Sequence, residues 1–324
     1  MSITPYPNGI SSFGIPLYGT QGFEGWWGRT AYFVDNDLGS DGNTGKQPTK
    51  AFLNLKKALD TAIAGDVIYI RPKDLTLTDT DPTYIVPATA ANWSIAEAQH
   101  DLAIIGAQNM SHIPGLEPAS YAVYLRGHTS VTGSPVLTVQ GARVVLENLA
   151  FHRGGITSAV AQVKLDGNST SIRAFGSVVY NCLFRMHNVA AGAVYNVDNW
   201  HCAVVNSTFH DCKIGVEFYG SSSTPKRFEV MGCTFINQTA ASVDQNIYIH
   251  GSGGAALRIH GCRFTDAVPA AGTNKYINIA SAATGLISGC YFFGDGNSNI
   301  TNNGVDVVGS FDVSTNTTGL FGKT

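Results

Sequence analysis

Short apolar strings separated by Gly, Ser, Asn and Thr fill the chain from residue 67 onward, and no long amphipathic stretch interrupts them. Six of these strings end in phenylalanine: Val145 to Phe151, Val179 to Phe184, Val205 to Phe209, Val230 to Phe235, Ile259 to Phe264, and Ile287 to Phe292. They share a frame of a β-branched residue, a spacer, Asn or Gly, usually Cys, a spacer, then Phe. The phenylalanines recur at a period of roughly thirty residues, a length typical of one unit in a repeat protein. Between them lies a second series, Val163 to Leu165, Val194 to Val197, Ile214 to Phe218, Ile247 to Ile249, Ile277 to Ile279 and Val305 to Val307. Such short strands cannot bury an apolar face alone and must stack on the next unit. The pattern predicts an all-β chain, a right-handed parallel β-helix of about eight coils with one continuous core.

Upstream of this body the pattern changes. Thr30 to Val34 reads as a strand, and Asp35 to Gly45 as a tight loop rich in Asp, Asn and Gly. In Ala51 to Ala64 the positions Phe52, Leu55, Ala58, Leu59 and Ala62 fall at helical spacing, with Lys56, Lys57 and Asp60 opposite. Gly65 and Asp66 stop that helix, and Val67 to Ile70 begins the body. Three segments result: an extended arm over 1–29, a cap with its short helix and first coil over 30–70, and the β-helix body with its C-terminal closure over 71–324. The arm has no apolar period, yet it carries Phe13, Trp26 and Trp27, rings that are costly to leave in water. They are its expected anchoring residues.

Tyr32-Phe33-Val34-Asp35, Gly39-Ser40-Asp41-Gly42-Asn43-Thr44-Gly45, Ala51-Phe52 and Ala64-Gly65-Asp66-Val67-Ile68-Tyr69-Ile70 resemble the cap and first coil of the pectate-lyase-like right-handed parallel β-helix family. That fold also occurs in phage tail-spike and head-decoration proteins. The resemblance runs from Thr30 to about Gly309 and implies that the short helix plugs the open end of the solenoid. It implies a fold and not an activity, because one fold hosts many functions. The lyases of the family use several aspartates for calcium and a basic residue for proton abstraction, and that constellation is not recognisable here.

Composition narrows the partners. Charged residues are only 13% of the chain and the net charge is -3, so no basic face exists to track phosphates and nucleic acid is excluded as the expected partner. No run approaches the ~20 consecutive apolar residues of a membrane helix. Met1 to Thr20 lack the Lys or Arg and the apolar core of a secretory signal. Cys182, Cys233, Cys262 and Cys290 share one register of the repeat, where Leu149 and Ser207 stand in other coils, which predicts an inward ladder of reduced thiols. His201, Cys202, His210 and Cys212 contain ligand atoms at no familiar zinc spacing, so no metal and no cofactor is expected. Asn148, Asn181 and Asn206 resemble an asparagine ladder at a turn.

Candidate chemistry lies on the outward positions of the second series. With Leu165, Val197, Phe218 and Ile249 inward, Asp166, Asp198, Tyr219 and His250 stack along one groove, beside a column of Lys164, Asn196, Glu217, Tyr248 and Asn278. Asp166 and Asp198 on adjacent coils would stand roughly 5 Å apart, the spacing of a retaining glycosidase. Three readings follow. The first is a non-enzymatic virion structural protein, a surface decoration or tail-spike component, homotrimeric and held to other virion proteins through residues 1–28. The second is a polysaccharide hydrolase or depolymerase using Asp166, Asp198 and Glu217. The third is a non-catalytic binder of a host surface glycan through Tyr219, Tyr248 and His250. The expected location is the virion surface, with an extracellular setting as the alternative.

Overall fold

A computed structural model of the chain describes residues 10–12, 15–18, 30–72, 83–85, 93–107, 123–127, 134–152, 161–167, 174–185, 191–220, 226–237, 245–251, 255–266, 275–280, 282–293, 300–301, 304–312 and 319–321. The anchoring candidates Phe13, Trp26 and Trp27 lie outside these residues.

The body is a parallel β-solenoid with three sheets. The first runs from Ala31–Val34 to Asp306–Val308, the second from Thr83–Ile85 to Gly319–Phe321, and the third from Trp93–Ile95 to Ile300–Thr301. Each strand pairs in parallel with the equivalent strand of the next coil, except that Gly319–Phe321 pairs antiparallel with Ser310–Asp312 and closes the C-terminal end. Among the described residues the first and second sheets hold ten strands each and the third holds eight, so the coil count differs from the expected eight.

Each phenylalanine-ending string is two strands, not one. Val145–Glu147 lies in the first sheet and Leu149–His152 in the second. The corner between them is a single residue in the left-handed region: Asn148, Asn181 and Asn206 at φ 55°, 49° and 48°, then Gly232, Gly261, Gly289 and Gly309 near 60°. Only glycine and asparagine adopt that conformation at little cost, which is why the frame alternates between them. Asn181 Nδ2 also donates to Asn148 Oδ1 at 2.6 Å, as an asparagine ladder should.

Inside, Phe151, Phe184, Phe209, Phe235, Phe264 and Phe292 form a stack. Neighbouring rings lie 4.8 to 5.1 Å apart and within 9° of parallel. All six are fully buried. The six cysteines are thiols and all are buried. Cys182, Cys233, Cys262 and Cys290 occupy the position just before the second-sheet strand in their coils; Ser207 takes that position in its own coil, and its hydroxyl accepts the Cys182 N–H at 3.1 Å. Burial pushes the Cys182 and Cys202 thiols up to about 12, and Cys262 is driven well above the ordinary range for the same reason.

The cap holds a shorter helix than the periodicity predicts, Leu55–Thr61, preceded by a 3-10 turn at Pro48–Lys50. At its front, Phe52 is captured as an extended bridge: its N–H donates to Phe33 O at 2.8 Å and its carbonyl accepts from Asp35 N–H at 2.9 Å. At its rear, the Asp66 carboxylate accepts the Ile63 N–H at 2.9 Å and the Thr30 N–H at 3.1 Å, pulling the chain out of the helix. Leu55, Ala58 and Leu59 still bury their face against the end of the core. One further expectation fails: Val305 to Val307 does not extend the second series. Its strand, Asp306–Val308, belongs to the first sheet, while the third ends at Ile300–Thr301.

Candidate functional site

The third sheet carries the candidate residues on its outer face. Its register aligns Leu165, Asn196, Phe218 and Ile249 inward, and Asp166, Val197, Tyr219 and His250 outward. The neighbouring outward column is Lys164, Tyr195, Glu217, Tyr248 and Asn278. The strand Val194–Val197 is therefore offset by one residue from the sequence reading, which placed Val197 inward and Asn196 outward. A valine at each end of a four-residue strand cannot have both ends on one face. The core takes Val194, and Asn196 follows it inside.

This offset removes Asp198 from the groove. Asp198 sits beyond the strand in the left-handed region at φ 54° and is 4% exposed. It is paired with a buried lysine: Lys226 Nζ lies 3.0 Å from Asp198 Oδ1 and donates to the Asp198 carbonyl at 2.9 Å. Beside it, Asn199 Nδ2 donates to Leu165 O at 2.7 Å and to Asn196 Oδ1 at 3.0 Å, so the inward asparagine is held in a polar corner of the core. Asp166 remains outward, where Lys164 Nζ lies 2.8 Å away and Gln140 Nε2 donates to it at 2.9 Å. The adjacent carboxylate pair of a retaining glycosidase is not assembled from Asp166 and Asp198.

Glu217 is the centre of what the fold does bring together. Its Oε1 lies 2.6 Å from His250 Nε2, and its Oε2 accepts the Gly192 N–H at 2.6 Å. Gly192 is required there, because a Cβ would stand 2.5 Å from the Glu217 Cβ. The carboxylate is 7% exposed and the imidazole 25% exposed, so the histidine is the member that faces solvent. Tyr248 stacks on His250 with centroids 4.2 Å apart and planes 5° apart, and Tyr219 meets the same ring edge-on at 5.2 Å. Tyr195, half-buried one coil below, has its hydroxyl pushed up to about 12, first by burial and then by the charges of Glu217, Tyr219 and Asp198.

The fold thus joins Glu217, Tyr219, Tyr248 and His250 in one patch, leaves Asp166 at its edge and buries Asp198 elsewhere. Sequence reasoning missed Tyr195, whose outward direction depends on the strand offset, and Gly192 and Lys226, which gave no signal apart from a glycine and a lysine near apolar strings. Cys202 and Cys212 point into the core while His201 is exposed and His210 is half-buried, so the four do not converge. Among the described residues no group of three or more His, Cys, Asp or Glu could hold a metal ion. Glu147, on the outer face of the first sheet, has its carboxyl raised by burial, but Ile105 and Tyr180 flank it in register and supply no second carboxylate.

No protein-family model and no curated protein matches the sequence. Solved structures similar in overall path include a rhamnogalacturonan lyase, at 15% identity and TM-score 0.48 over 87% of this chain and 68% of the other. Pectate lyase Pel9A follows at 16% and 0.46, over 90% of this chain and 82% of the lyase. The ORF18 protein of Geobacillus virus E2 is similar at 13% and 0.46, over 87% of this chain and 62% of that one. The fold itself rests on the chain's own ladder: three parallel sheets, an asparagine-or-glycine corner and a helix at one end make it a parallel β-helix.

Proposed function

We propose that this protein is a non-enzymatic rod of a virion surface that holds a host glycan on the outer face of its third sheet. The observation that carries the reading is the patch of Tyr195, Tyr219, Tyr248 and His250 around Glu217. Sugar rings present C–H faces that pack on aromatic rings, and their hydroxyls pair with partly buried polar tips. The carboxylates favour binding over cleavage. Glu217 is engaged by both oxygens, Asp166 by Lys164 and Gln140, and Asp198 by Lys226. A hydrolase needs two of them converging on one bond.

The virion part of the reading is supported by the arm. Among the described residues, Ile10–Ser12 and Ile15–Tyr18 pair with each other as an antiparallel ribbon and with none of the three solenoid sheets. Such a ribbon, followed by Trp26 and Trp27, suits insertion into another capsid or tail protein, and side-by-side packing of rods suits a homotrimer.

The test is a glycan-array screen of the full chain with a parallel assay for reducing-end release. Binding without release, lost in Tyr248→Ala and Tyr219→Ala, is expected. Release of reducing ends that disappears in Glu217→Gln would establish the hydrolase instead. For the arm, deletion of residues 1–28 is expected to leave a folded, soluble body that no longer enters its particle.

A further inference from the structure

We infer that the glycan held on the third sheet is a neutral one, recognised through hydroxyls and C–H faces rather than through acidic groups. The inference rests on the glycan-binding reading above and concerns the class of sugar.

Its basis is the pairing of charges on that face. Among the described side chains of Val163–Asp166, Val194–Val197, Ile214–Gly220 and Gln245–Gly251, those in the outward columns able to carry positive charge are Lys164 and His250. Each is already matched: Lys164 Nζ to Asp166 at 2.8 Å and His250 Nε2 to Glu217 at 2.6 Å. Lys226, the lysine that follows this patch's strand Ile214–Gly220 in the chain, is inside the core against Asp198, with 5% of its side chain exposed. A uronate, sialate or sulfate laid along the columns would find no uncommitted cation among them and would meet two carboxylates, Asp166 and Glu217. Recruiting either cation to the ligand would take away a carboxylate's charged partner, leaving Asp166 with Gln140 and the buried Glu217 with the Gly192 N–H, a loss that offsets the new ion pair with the sugar. The groups that remain for a ligand are neutral: the phenols of Tyr195, Tyr219 and Tyr248 and the amide of Asn278, which itself donates to Gln245 Oε1 at 3.0 Å and so is oriented in advance. Burial and its neighbours' charges raise the Tyr195 hydroxyl, keeping it a proton donor throughout the neutral range. Hydroxyl donors and ring faces are the complement of an uncharged sugar.

The probes are maltoheptaose, a mannan-derived oligosaccharide and chitopentaose as neutral chains, and oligogalacturonate and oligosialic acid as anionic ones, titrated calorimetrically into the full protein. Tighter binding of at least one neutral chain, by about tenfold or more over either anionic chain, is expected. Tyr248→Ala should weaken that binding by about tenfold, while Arg258→Ala on the exposed face of the first sheet should leave it unchanged. Asp166→Asn, which keeps the shape and releases Lys164, should raise oligogalacturonate affinity by about tenfold. Oligogalacturonate or oligosialic acid binding the unmodified protein as tightly as any neutral chain would overturn the inference and leave the glycan-binding reading standing. Lack of any gain in Asp166→Asn would overturn its electrostatic basis. Binding of none of the five probes would overturn both.

Discussion

Phe235→Ala probes the register of the whole solenoid at one position. Phe235 is fully buried and sits mid-stack, 4.8 Å from the Phe209 ring and 4.9 Å from the Phe264 ring, nearly parallel to both. Buried phenylalanine truncations cost about 3 to 5 kcal/mol in lost transfer free energy and cavity. Two features place this site at the upper end. The variant loses ring stacking on both sides at once. The wall facing the ring includes the Gly215 backbone, where a Cβ would already come within 2.8 Å of it, and ladder-bonded backbone cannot move in to fill the hole. A loss of about 5 kcal/mol is expected, measured by urea unfolding followed by far-UV circular dichroism. Tyr291→Ala is the control, because Tyr291 is 46% exposed on the second sheet and its truncation should cost below about 1 kcal/mol. A loss below about 1 kcal/mol for Phe235→Ala would mean that the ring faces solvent and that the ladder is shifted by one residue.

Lys226→Met should destabilise the chain by about 3 to 5 kcal/mol in the same assay, because it strands the Asp198 carboxylate in the core, and Asp198→Asn added to it should recover much of the loss. In native protein all six thiols should resist an aromatic disulfide reagent at pH 8 and should react together once denatured; a fast-reacting thiol in the native state would contradict their burial. Tyr195 holds its proton more tightly folded than unfolded, so its contribution is complete below the ordinary tyrosine value of about 10 and is lost as pH rises through its folded value of about 12. Thermal melts between pH 9 and 12 should fall more steeply for the natural protein than for Tyr195→Phe, and identical slopes would count against the buried phenol.

The class of fold and most of its interior are legible in the residues alone. A period of roughly thirty residues with Phe at one phase and Cys, Leu or Ser at another is a statement about stacked coils, because short strands have no other way to bury an apolar face. The corner was legible for the same kind of local reason: Asn148 and Gly232 are the residue types that tolerate a positive φ. The outward direction of Glu217, Tyr219, Tyr248 and His250 was also legible, since unambiguous alternation around Val216, Phe218, Ile247 and Ile249 fixes it. The remainder is settled by the stacking of coils, where local pattern is degenerate or where partners are distant. Val194-Tyr195-Asn196-Val197 fits either face, and the choice was made by neighbouring coils and by Asn199, not by the strand. The helix ended early because Phe33 and Asp66 offered its end residues better hydrogen bonds than another helical turn would. Asp198 with Lys226, and Glu217 with Gly192 and His250, are pairs 25 to 33 residues apart that meet because one coil lies on the next. Hydrophobic period is written into each segment separately, whereas the pairing of polar groups across coils exists only once the coils are stacked.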